Sequence, residues 1–197
     1  MDRLVNCILF KMQSEKLVDE EDIEIYQFGL ECILLKLIHI ISYLLIGICM
    51  GDVFSLLVSG SILIPLRRKT GGYHAKTRVG CYIFSCCVVL LLCLFNKAEM
   101  ALMVRTAGMI VADILILLLT PMENENRVLE LDEKILFRKQ AIVLLALVNV
   151  VVVIIFLIQK YLFLAYWLEN GVLFTGVLLA LGVKREKYSE KRKLLWL

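Results

Sequence analysis

Gln140-Ala-Ile-Val-Leu-Leu-Ala-Leu-Val-Asn-Val-Val-Val-Val-Ile-Ile-Phe-Leu-Ile158 is a run of nineteen residues without a charge. As a helix it would be about 28 Å long, close to the thickness of a bilayer's hydrocarbon core. The whole chain is 60% hydrophobic, against about 45–50% for a soluble domain. That apolar surface has to be buried in lipid, and run 140–158 reads as plain lipid-facing scaffold.

Outward from this run the pattern repeats. Downstream, Gln159-Lys160 make a turn, and a further span covers about Tyr161 to Val183 with Glu169-Asn170-Gly171 near its middle. A basic tail follows over 184–197, where Leu194-Leu195-Trp196-Leu197 suit the headgroup region. Upstream lies a connector of mixed charge, Met122 to Lys139, then Pro121, which closes a span from about Met100 to Thr120. That span carries Arg105 and Asp113, too far apart around the helix to pair directly. Before it, Asn96-Lys97-Ala98-Glu99 separate it from a span over about Val79 to Phe95. The stretch Asp52 to Leu66 is short for a crossing and is expected to end at Pro65, tilted or partly re-entrant and buried in protein.

The first span, about Gln27 to Met50, holds Glu31, Lys36 and His39. Ionisable groups at such depth are costly and point to function by default. Lys36 can snorkel to an interface, and His39 can bond to a neighbouring helix. Residues 1–22 place Leu4, Val5, Ile8, Leu9 and Met12 at helical spacing and suit an amphipathic helix, either on the membrane surface or packed on the protein. Asp2 and Lys11 are wrong for a signal peptide. The expected fold is all-α: one domain over 1–197, a polytopic membrane helical bundle of about six apolar spans, the second short, behind an N-terminal amphipathic helix.

The net charge is +3, and the charges are clustered. Basic residues beside spans suit anionic headgroups, so the bilayer is the expected partner and nucleic acid is not. Eighteen of the 22 Lys and Arg fall in segments 1–20, 67–78, 122–139 and 184–193, whereas the opposite turns hold only Lys97 and Lys160. The positive-inside rule then places both termini and segment 67–78 in the cytoplasm. Seven cysteines form no CxxC pair, and two histidines are too few to complete a zinc site, so neither metal nor cofactor is expected.

The longest polar, glycine-rich interruption is Arg67-Arg68-Lys69-Thr70-Gly71-Gly72-Tyr73-His74-Ala75-Lys76-Thr77-Arg78-Val79-Gly80-Cys81. A histidine and a cysteine are the minimum parts of an activated thiol nucleophile. Seven residues on one continuous helix would leave them about 10 Å apart. The segment between them must therefore bend, and Gly80 is placed to allow it. The cysteines within apolar runs behave as small hydrophobes.

The run Arg68 to Ala75 followed by Cys81 resembles the signature of the accessory gene regulator B (AgrB) family, membrane endopeptidases that process a quorum-sensing propeptide into a cyclic signal. Phe28-Gly29-Leu30-Glu31 also resembles a family segment, and the order of spans fits along essentially the whole chain. The resemblance implies a small AgrD-like propeptide as substrate, attack by Cys81, a thioester on the enzyme, and ring closure to a thiolactone or lactone. A homodimer is compatible with it.

The site expected from chain order has Cys81 as nucleophile, His74 as base and Glu31 orienting His74. Glu31 and Cys81 start their spans at similar depth on the cytoplasmic side. Arg67, Arg68, Gly71, Gly72 and Tyr73 are the candidates for substrate binding, with Arg68 as a bidentate clamp for a propeptide carboxylate. Arg68→Lys is then expected to impair cleavage and Arg67→Lys to matter little. Two other readings compete: a cysteine peptidase that only hydrolyses, and a non-enzymatic transporter or assembly factor, which would need a path lined with polar residues.

Overall fold

The computed structural model describes residues 2–15, 17–19, 22–73, 75, 77–123 and 129–194, with side chains from 4 to 184. The described residues form seven helices: α1 (Asp2–Ser14), α2 (Ile23–Cys49), α3 (Val53–Thr70), α4 (Arg78–Lys97), α5 (Leu102–Leu119), α6 (Leu131–Ile158) and α7 (Leu162–Leu194). Five are long and apolar enough to cross a membrane: α2, α4, α5, α6 and, over Leu162–Lys184, α7. The chain divides into two compact units, Met1–Ile46 and Gly47–Leu197.

In the first unit α1 buries Val5 and Leu9 and exposes Leu4, Ile8 and Phe10, so one stripe of the amphipathic helix is packed. On α2, Lys36 is exposed. His39 donates from Nδ1 to the Leu35 carbonyl of its own helix at 2.7 Å and stands edge-on to Tyr43. That bond runs one turn back along α2.

The second unit is assembled on α7, which packs against α3, α5, α6 and α4. Its core follows helix periodicity. Ala165, Val172 and Leu179 of α7 meet Met109, Ala112 and Ile116 of α5, Ala141, Leu145, Val148 and Val152 of α6, and Leu66 of α3. Spacings of three, four and seven residues keep each set on one face. Two α7 glycines let backbones approach: a Cβ on Gly171 would sit 2.6 Å from the Ser59 carbonyl oxygen, and one on Gly176 would sit 2.9 Å from Ala112 Cα. Small residues at such crossings are the usual device for helix packing in lipid.

Helix α3 is the short apolar stretch. It buries Ser55, Leu56, Ser59, Leu63, Leu66 and Thr70 and leaves Phe54, Leu57 and Ile64 exposed, so protein covers one face of the helix and not its whole circumference. The expected stop at Pro65 does not occur. Pro65 lies inside the helix, which continues to Thr70 and ends with Arg67, Arg68 and Lys69 in its last turn. Proline removes its own N–H from the ladder and crowds the carbonyl four residues earlier, at Ser61. Burial of Leu66 and Thr70 on either side of the basic turn holds the helix together beyond it.

At the end of the unit where α3 begins and α4 finishes, polar groups are buried together. Asn96 Oδ1 accepts from Ser59 Oγ at 3.1 Å and from Asn170 Nδ2 at 2.9 Å, tying α4, α3 and α7. Glu169 is 4% exposed. Arg105 covers the Tyr166 ring at 4.4 Å from its centroid and donates to the Ala98 carbonyl. Asp113, two turns further along α5, is half-buried, and its Oδ1 has no hydrogen-bond partner among the described residues.

Candidate active site

At the opposite end of the unit α3 stops, and the chain turns through Gly71 and Gly72 before α4 begins at Arg78. Both glycines have positive φ, 78° and 138°, which side-chain-bearing residues adopt only with strain. This is where the segment between the basic turn and Cys81 bends. Gly80, the expected bend, instead lies in the first turn of α4. There its amide donates to Thr77 Oγ1 at 3.0 Å, and Thr77 is the N-cap of α4. A Cβ on Gly80 would come within 2.8 Å of that hydroxyl, so glycine at this position serves the cap.

Cys81 is the fourth residue of α4, a half-buried free thiol whose amide donates to the Thr77 carbonyl at 2.9 Å. Its place on the helix is therefore set by the cap just before it. His74 and Lys76 lie outside the described residues. The residue before His74 is well fixed. The Tyr73 amide donates to the Leu178 carbonyl of α7 at 3.1 Å, and the Tyr73 carbonyl accepts from Arg67 Nη2 at 2.6 Å. Its ring lies 4.6 Å from that of Phe84, three residues beyond Cys81 on α4.

The other wall of the loop is the connector after α5. The Met122 amide donates to the Thr70 carbonyl at 2.9 Å, and a Cβ on Gly71 would overlap the Met122 carbonyl oxygen at 2.5 Å. The connector is itself braced. Glu123 Oε1 accepts from Lys134 Nζ at 2.9 Å and from the Leu129 amide at 3.0 Å. The Lys134 side chain, and after it the Leu129 amide, hold the Glu123 carboxyl below its ordinary value.

The structure thus brings together Arg67, Gly71, Gly72 and Tyr73, and sets Cys81 on the helix that the loop leads into. Arg68 is exposed at the same turn as Arg67. Glu31 is half-buried on α2, in the N-terminal unit. Residues that sequence reasoning passed over are Thr77, Met122, Leu178 and Gly182. Thr77 ahead of an apolar run is a readable helix-start signal. The other three meet the loop only through tertiary structure.

A bundle of apolar helices with a thiol at the start of one span, preceded by a bent Gly-Gly loop, defines a polytopic membrane protein with a cysteine in the first turn of one of its spans. Residues 5–181 match the family model of accessory gene regulator B, AgrB, and the chain belongs to that family. Comparison with curated proteins and with solved structures gives no match. Membership associates the chain with processing of the agr quorum-sensing propeptide, a protease-like role with that propeptide as partner, and its apolar helices make it a multi-pass membrane protein.

Proposed function

We propose that the chain is a membrane cysteine endopeptidase that cleaves the propeptide through a thioester and promotes ring closure. The observation that carries this reading is the position of Cys81: half-buried in the first turn of α4, directly after a loop whose preceding backbone is held on three sides. His74 takes the thiol proton as Cys81 Sγ attacks the scissile carbonyl, and Glu31 orients the imidazole. The tetrahedral oxyanion develops beside the positive end of the α4 dipole. Its collapse breaks the C–N bond, and His74 gives the proton to the departing amine.

The N-terminal part of the propeptide remains as a thioester on Cys81. A cysteine or serine side chain within it attacks that carbonyl, its proton passing through His74 to the leaving Cys81 sulfur. Tethering makes this second attack effectively unimolecular, and a site at the edge of lipid restricts competing water. In this reading Arg68, exposed in the last turn of α3, takes a propeptide carboxylate with its planar fork. Cytoplasmic placement of the loop follows from the lysine and arginine bias.

Co-expression with a short candidate propeptide, followed by weighing of the products, tests the reading. The parent protein is expected to give the C-terminal fragment and a product lighter by one water than the hydrolysed N-terminal part. Cys81→Ala and His74→Ala should give neither while inserting normally, and Glu31→Gln should slow acylation more than it lowers insertion. Losing Cys86, Cys87 or Cys93 alone should leave processing largely intact. Cleavage by Cys81→Ala would overturn the assignment.

A further inference from the structure

We propose that Gly182 of α7 is a positioning residue of the reaction, its missing side chain forming the seat for the Gly72–Tyr73 peptide that delivers His74. This rests on the His74–Cys81 reading above. A Cβ built on Gly182 would lie 2.8 Å from Met122 Sδ, 2.9 Å from the Gly72 carbonyl carbon and 2.9 Å from the Tyr73 nitrogen. The sulfur could swing away. The other two atoms belong to one peptide bond and cannot give way unless the loop moves.

The same helix face also holds that peptide. Leu178 is one turn before Gly182, so both lie on one face of α7. The Leu178 carbonyl accepts the Tyr73 amide at 3.1 Å, and a Cβ on Gly72 would come 3.2 Å from that same oxygen. One turn of α7 thus supplies an acceptor and a gap, and the peptide before His74 fits both. On its other side Tyr73 is tied to α3 by Arg67 and to the Cys81 helix by Phe84. Tyr73 directly precedes His74 in the chain, and a misplacement of about 1 Å is enough to disable a reaction geometry.

The helix contains its own control. A Cβ on Gly176 would meet Ala112 Cα and Cβ, each at 2.9 Å, an overlap of the same size directed at α5 rather than at the loop. Helix damage alone predicts similar effects from the two substitutions, and the seat predicts different ones.

The test follows iodoacetamide alkylation of Cys81 against pH in full-length protein in membranes, read by peptide mass spectrometry, for the parent, His74→Ala, Gly182→Ala and Gly176→Ala. Gly182→Ala is expected to move the profile towards that of His74→Ala, with alkylation at neutral pH slowed by about tenfold or more. Gly176→Ala should lower the melting temperature and leave the profile on the parent curve. Adding Met122→Ala to Gly182→Ala relieves only the side-chain overlap and should restore little; full restoration would overturn the backbone seat. If Gly182→Ala is not recovered in membranes, Gly72→Ala presses the same peptide from the loop side and should shift the profile likewise. A profile that moves with His74→Ala but with neither glycine substitution ends the inference. One that does not move even with His74→Ala ends the His–Cys reading instead.

Discussion

Arg67 and Arg68 leave the same turn of α3 with different fates. Arg67 Nη2 reaches the Tyr73 carbonyl at 2.6 Å and is part-buried, whereas Arg68 is exposed. A hydrogen bond from a charged donor contributes about 1.5–3 kcal/mol, and a lysine at position 67 has no planar fork to hold the same geometry. Arg67→Lys is therefore expected to slow propeptide cleavage by about tenfold, near the low end of that range. Arg68→Lys should weaken it through substrate binding, seen as a raised KM with the loop intact. Initial rates in membranes at matched protein levels check both, and a parent-like rate for Arg67→Lys would remove the loop bond from the mechanism. The sequence expectation had Arg67→Lys nearly silent. Six residues of separation say nothing about the chain returning on itself at Gly71 and Gly72, so the contact was not legible. The chemistry-bearing types, a histidine, a cysteine and two glycines in one polar run, were.

Among the elements, run 140–158 was readable as a span because its length matches the bilayer, and α6 extends it back to Leu131 through a capping box of Glu130 and Glu133. Helix α3 was misread at Pro65 because local propensity was outweighed by burial of Leu66 and Thr70. The α3–α7 crossing makes a sharp prediction. Gly171→Ala would press on the Ser59 backbone at 2.6 Å, whereas Gly60, on the same α3, has open space where its Cβ would be. Overpacking of this kind costs about 1–3 kcal/mol, so Gly171→Ala should lower the detergent melting temperature clearly and Gly60→Ala should not. The connector makes a second prediction. Folding lowers the Glu123 carboxyl below its ordinary value of about 4.5, chiefly through the Lys134 hydrogen bond. A depressed acid contributes stability above its unfolded value and loses it as pH falls through the lower folded value. Protection of the Leu129 amide from hydrogen exchange should be flat above about pH 4.5, fall below it, and lose this dependence in Glu123→Gln.

At the scale of the molecule, the bias of lysine and arginine predicts that both termini face the cytoplasm. A reporter fused after Leu197 should be active only inside the cell, and activity only outside would put the loop on the wrong side for a cytoplasmic substrate. Which helices pack on α3 was not legible, since lipid-facing and protein-facing apolar residues look alike in a chain this hydrophobic. The arrangement in which α7 gathers α3, α4, α5 and α6 has a consequence for the order of synthesis. Cys81 and the whole Gly-Gly run leave the ribosome roughly a hundred residues before Leu178 and Gly182 do, at about 5–20 residues per second. For that interval the nascent chain carries the proposed nucleophile and base and lacks the Gly182 seat proposed to align them. On the proposed reading the newborn protein is a latent thiol, and competence arrives with α7.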